Sequence, residues 1–187
     1  MKRSDINPLP EYFDRYIELV ADVELSTAFD DSLSQLNEFD APRLVSLCDK
    51  TYAPNKWTVK DILQHVIDWE RILSYRSLLF ARSEGTIPQA VDGDLIAGTA
   101  NARERTIDEL IRELTVLRLA TRSLYDSFDD ETLRKQGTNW KAQISVLAMG
   151  FIILGHQIHH LKVIEEKYFP LLENQTLDRP MAIGTLT

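Results

Sequence analysis

Residues 106–128, TIDELIRELTVLRLATRSLYDSF, decide the class of the fold. Ile107, Leu110, Leu114, Leu117, Thr121, Leu124 and Phe128 recur at steps of three and four, which places them on one stripe of an α-helix. Thr106 followed three residues on by Glu109 is a capping box, the pairing that satisfies free backbone N–H groups at a helix start.

Three more segments follow the same period. Residues 22–36 align Leu25, Phe29, Leu33 and Leu36, and a short separate helix is expected before them, within residues 11–20, after Pro10. Another helix opens at Trp57-Thr58-Val59-Lys60-Asp61, with Thr58 and Asp61 as its capping box. Ile62, Val66, Trp69, Leu73 and Phe80 run along it, and Gly85 is its expected stop. The last runs from about Gln143 to Tyr168 and stops ahead of Pro170. Its first half is apolar nearly all round, so it is expected to be the most buried element. Residues 86–102, with Pro88, Gly93 and Gly98, read as a long crossing loop, and residues 129–139 as a second connection. Four amphipathic helices make a four-helix bundle, and the long connections leave room for a crossover.

Composition agrees with that class. The chain has 187 residues, 44% apolar and 27% charged, which suits one domain spanning 1–187, with a core over about 22–168 and an irregular tail over 171–187. The net charge of −8, with no basic patch, argues against nucleic acid as a partner. Cys48 is the only cysteine, which excludes an internal disulfide and multi-cysteine metal sites; its default role is a free structural thiol. The longest apolar run, 144–155, is short of the ~20 residues that span a bilayer. No membrane partner is expected, and the expected location is cytoplasmic.

Polar residues in apolar surroundings carry the chemistry. All four histidines lie in two helices: His65, embedded among Ile62, Val66 and Trp69, and His156, His159 and His160 in Gly155-His156-Gln157-Ile158-His159-His160. His156 and His160, four apart, share a helix face and can converge on a metal; His156 with His159 is also permitted by spacing. Gln157 replaces the glutamate a zincin needs, no Glu-x-x-His pair of a di-iron bundle is present, and a hemerythrin-like site needs more histidines. One ion held by three imidazoles remains. Asp61 and Asp68, on the stripe of His65, are candidate orienting or catalytic carboxylates, against the competing readings of helix cap and solvated side chain. Glu70, Arg71 and Arg76 read as a charge network on or between helices. Trp57 and Trp140 read as packing residues, and Asp92 and Asp94 as solvated loop residues at the possible mouth of a site.

The run from Trp57 to His65, then Trp69-Glu70-Arg71 through Arg76, then Gly155 to Leu161, resembles the DinB/YfiT-like family of bacterial metalloproteins. The resemblance spans about Asp22 to Tyr168 and includes Tyr52-Ala53-Pro54. It implies an all-α DinB/YfiT-like four-helix bundle with a short extra N-terminal helix and long crossover connections. It also implies one divalent ion, nickel or zinc, on His65, His156 and His160, with the role of His159 open.

Three neutral ligands and open positions suit a catalytic rather than a structural ion. Reactions of relatives include thiol-dependent transfer or isomerisation with a low-molecular-weight thiol such as bacillithiol or mycothiol. The expected function is therefore a mononuclear metalloenzyme of thiol-dependent transferase type acting on a small molecule. A metal-dependent hydrolase and a non-enzymatic metal-binding module are the alternatives, and a homodimer is compatible with the apolar surplus of the last helix.

Overall fold

The structure, a computed structural model, describes residues 1–47, 49–83 and 87–177, with only the backbone of 174–177. Cys48, the expected stop at Gly85 and residues 178–187 lie outside the described residues. The helices are α1 (Asp14–Ile17), α2 (Leu25–Glu38), α3 (Ala41–Leu47), α4 (Val59–Ala81), α5 (Gly93–Thr99), α6 (Ile107–Asp126), α7 (Asp130–Arg134), α8 (Val146–Val163) and α9 (Pro170–Leu177). Between α7 and α8 lies an antiparallel hairpin of β1 (Gln136–Asn139) and β2 (Ala142–Ser145), pairing Gln136 with Ser145 and Asn139 with Ala142.

The two long capped helices start where their capping boxes stand. Thr58 Oγ1 accepts from Asp61 N at 3.2 Å while Asp61 accepts from Thr58 N at 2.8 Å, and Thr106 with Glu109 repeats the pattern. The helix expected from Gln143 instead starts at Val146, because residues 142–145 are extended in β2 and Ser145 caps α8 through Ala148 N. Helical structure also does not stop at Pro170. A π-turn over Ile164–Tyr168 follows α8, and Pro170 occupies the first position of α9, where its missing N–H costs nothing. Residues 171–177, expected to be irregular, are thus helical. Within residues 86–102, expected to be loop, Asp92 caps the short α5 by accepting from Asp94 N and Leu95 N. Of residues 11–20 only Asp14–Ile17 are α-helical, and α3 lies in the stretch between the first two long helices.

The four long helices form a closed ring of contacts, α4 against α6 and α8, and α2 against α6 and α8. Side-chain pairs set their directions. Gln64 meets Arg105, Glu70 meets Arg118 and Ser77 meets Tyr125, so α4 and α6 run parallel. Ser32 meets Arg118 while Asp30 meets Arg122, so α2 opposes α6. His65 lies against His156 and His160, and Tyr168 reaches back to Trp57, so α4 opposes α8. The order is therefore up, down, down, up, and the α4–α6 connection must return along the bundle.

Two apolar clusters fill the interior. One gathers Phe29, Leu73, Tyr125 and Phe151, the other Leu36, Leu63, Leu114 and Ile164. Every long helix contributes a residue to one buried polar network: Ser32, Glu70, Arg118 and Gln157. Arg118, fully buried, donates through Nε and Nη2 to the two Glu70 carboxylate oxygens at 2.9 and 2.8 Å and through Nη1 to Ser32 Oγ. Gln157 donates to the Ser32 carbonyl at 3.3 Å. The run Val146–Glu173 is apolar and long enough to cross a membrane, but 72% of its apolar window is buried against the other elements, as in a core helix.

Removing one partner of a buried ion pair leaves the other charge uncompensated. Glu70→Ala is expected to cost about 3–5 kcal/mol in urea unfolding. The double replacement Glu70→Met with Arg118→Leu should cost less than the two single changes together; strict additivity would show that the pair is not coupled.

Candidate metal centre

The antiparallel packing of α4 on α8 brings His65 opposite the i, i+4 pair His156 and His160. Ring centroids lie 5.1 Å apart for His65–His156, 4.8 Å for His65–His160 and 4.5 Å for His156–His160. One ring nitrogen from each residue falls within 4.8 Å of the others, a group that can hold a metal ion. The Nε2 atoms of His156 and His160 are 3.1 Å apart. Two nitrogens on one ion, at bonds of ~2.1 Å and angles near tetrahedral or right, are separated by roughly 3.0–3.4 Å, so this spacing fits shared ligation.

The donor set fits as well. Burial holds His65 down to about 4 and His160 to about 3, helped by neighbouring imidazoles, and burial first of all places His156 well below its usual value. All three are therefore neutral with lone pairs available at neutral pH, the state a metal requires. Among the described residues no carboxylate joins the cluster.

Aromatic neighbours hold the rings. Trp57 lies 4.7 Å and Trp69 6.2 Å from His65, while Tyr16 of α1 meets His156 and His159 edge-on at 5.4 and 5.5 Å. Tyr16 gets there because α1 crosses α8 at Gly155. A Cβ at Gly155 would stand 1.9 Å from the Tyr16 carbonyl oxygen, so only glycine permits the crossing. His159 faces Tyr16 and lies outside the cluster.

His65 and His156 form part of the wall of a cavity of about 620 Å³, within the range of small-molecule sites. Trp57, Trp69 and Trp140, the three tryptophans of the chain, all line it, so the packing role expected for Trp57 and Trp140 is incomplete. The connection after α4 closes one side with Ile87, Pro88 and Val91, and Asp94 stands at the rim as expected, whereas Asp92 is occupied as a helix cap.

The two carboxylates considered for the site do not reach it. Asp61 is held by Thr58 and lies 3.5 Å from Arg103, and Asp68 accepts from Gln64 at 2.9 Å; neither lines the cavity. The expected charge network divides: Glu70 pairs with Arg118, Arg71 with Glu113, and Arg76 turns into the cavity. Tyr12, Tyr16, Asn139 and Arg76 are wall residues that sequence reading did not assign to the site. Only the i, i+3 relation of Arg76 to Leu73 on an otherwise buried helix face hinted at its position.

The model of the DinB superfamily matches residues 28–164. The solved structure of YfiT from Bacillus subtilis superimposes with a TM-score of 0.62 at 17% identity, covering 89% of this chain and 88% of that one. YfiT is described as "a probable metal-dependent hydrolase with an unusual four-helix bundle topology". At that identity the likeness establishes the fold. No curated protein matches the chain by sequence.

Gly155→Ala should cost about 1–3 kcal/mol through overpacking and detach α1, read as faster proteolysis within residues 11–20. Unchanged cleavage would refute the close crossing. In metal-free protein the histidines have folded values below the ordinary 6.5, so the unfolded chain takes up protons first. The stability they confer is complete above about 6.5 and is lost as pH falls toward about 4. The urea midpoint should drop between pH 7 and pH 5, and less so in His160→Leu; equal drops would remove the histidines as the cause.

Proposed function

The chain belongs to the DinB superfamily, and from that premise we propose that it is a metal-dependent enzyme of thiol-transferase type. In this reading His65, His156 and His160 hold one divalent ion, nickel or zinc, and a small thiol and an electrophile meet in the adjoining cavity. The observation that carries it is the opening of two of the three clustered histidines onto an aromatic-walled cavity, with no carboxylate in the histidine cluster among the described residues.

A bound divalent ion supplies Lewis acidity, which lowers the pKa of a coordinated thiol or water toward neutrality. The chain's own residues set the conditions. Three neutral imidazoles add no negative charge, so the positive charge at the centre stays undiminished. Burial keeps protons off those rings at neutral pH. Tyr16 packs edge-on against His156, and Trp57 and Trp69 flank the His65 ring. A thiolate is a strong nucleophile without further help, whereas water attack gains from a positioned base. Asp61 and Asp68 are tied up elsewhere, and Asp94, the carboxylate among the described wall residues, stands exposed at the rim and outside the histidine cluster, which favours thiol transfer. Hydrolysis is the second reading, favoured by the description of the structural neighbour YfiT. A reducing, cytoplasmic setting suits a thiol co-substrate.

Protein purified without added metal should carry about one equivalent of nickel or zinc by elemental analysis, and His65→Ala and His160→Ala should each lose it at least tenfold. Unchanged metal content in both variants would overturn the assignment. Chelator-sensitive conjugation of a small thiol to an electrophile, against chelator-sensitive ester hydrolysis, separates the two reactions.

A further inference from the structure

Among the described residues, Arg76 is a buried cation without a counter-charge. Its residue is 5% exposed, yet its hydrogen bonds go to neutral acceptors, Nη1 to Asn139 Oδ1 at 2.6 Å and Nη2 to the Gln89 carbonyl at 3.0 Å. Among the described residues no carboxylate lies within 4.0 Å of it, whereas the other deeply buried arginine, Arg118, has Glu70. Burial alone pulls the Arg76 value below that of a free guanidinium, so the fold bears a cost there that its two neutral partners offset only in part and that no counter-charge among the described residues relieves. A guanidinium has five N–H donors, and these two bonds leave donors of the planar fork over. Arg76 lines the same cavity as His65 and His156.

The rest of the wall suits an apolar body. Besides Trp57 and Trp69, Trp140 and Tyr12 meet at the rim with rings 5.3 Å apart. Both are largely exposed, at 59% and 48%, and both take left-handed backbone angles, φ 56° and 73°, which side chains other than glycine adopt rarely. The hairpin turn that presents Trp140 also presents Asn139, the residue that steadies Arg76. Arg76 follows His65 by eleven residues, roughly 16 Å along the helix. A ligand held at Arg76 therefore lies along the aromatic wall toward the histidines. The rim carboxylate Asp94 is exposed and not paired with Arg76.

We propose that the cavity admits a small organic carboxylate with an aromatic or extended apolar body, and that Arg76 is the specificity residue that receives the carboxylate. The donors left over on the planar fork suit the two oxygens of one carboxylate, and the apolar wall suits an organic body attached to it. The proposal rests on the reading of this cavity as the reactant site, and it names the class of molecule that enters.

The test compares 1-naphthylacetate with its uncharged, equally shaped amide, 1-naphthylacetamide, by isothermal titration calorimetry. It is run on chelator-treated wild-type protein and on His160→Ala, so that failure of the metal assignment leaves the result readable. The carboxylate should bind at least tenfold more tightly than the amide. Arg76→Met should remove that preference while changing amide affinity less than twofold. Arg76→Gln, which keeps a hydrogen-bonding group near Asn139, is measured as well in case the methionine variant fails to fold. Equal affinity of the two probes for wild type, no binding of the carboxylate, an intact preference in either folded variant, or equal losses for both probes overturns the proposal.

Discussion

The bidentate pair of Glu70 and Arg118 sits where the four long helices meet, and it fixes how they can slide past one another. Apolar side chains tolerate small shifts, because burial is nearly independent of direction. A guanidinium locked to a carboxylate and a serine tolerates none, since a shift would leave a charge buried and unmet. Through Arg118 this layer ties α4 to α6 and α2, and through Gln157 it reaches α8. Gln157 directly follows His156, and Glu70 lies five residues beyond His65. The register that satisfies the polar layer is therefore the register that sets His65 against His156 and His160.

The long helices were legible because their evidence is repetitive. A mostly apolar stripe over about six turns and a capping box at each of two starts agree independently, and both boxes form as read. The hairpin was not legible. Each strand has four residues, too few for a period of two to stand out, and Ile144 reads equally well as the start of the apolar helix that follows. The short helices α3 and α5 fall below one full repeat of a hydrophobic stripe. The parallel pairing of α4 and α6 leaves no mark on local periodicity, because it follows from which polar residues meet across the core.

The candidate site divides along the same line. The histidines were visible because imidazoles among isoleucine, valine and tryptophan are costly without a partner. Arg76 was harder to place: beside Glu70 and Arg71 it reads as part of a charge network on or between helices, whereas its partners, Asn139 of the hairpin and the Gln89 carbonyl of the segment after α4, come from elements that the period of its own helix does not reveal. Tyr16 belongs to a four-residue helix whose position depends on Gly155 in a distant element, so nothing in its own neighbourhood signals a role beside His156.

Charge distribution links the two halves of the site. Overall the chain carries −8, which would discourage an anion from approaching if net charge governed the cavity. It does not govern it, because exposed carboxylates are screened beyond ~8 Å at physiological ionic strength. Inside the cavity, walls of tryptophan and tyrosine lower the effective dielectric, and the ionisable groups along the described wall are neutral imidazoles, the buried Arg76 guanidinium and, exposed at the rim, the Asp94 carboxylate. An aspartate in place of any of the three histidines would add a negative charge to the cluster, and an anion would meet a less favourable field. The imidazole donors, which add no negative charge, and Arg76, which meets no counter-charge among the described residues, thus act in the same direction, toward accepting an anion in the inner part of an acidic protein.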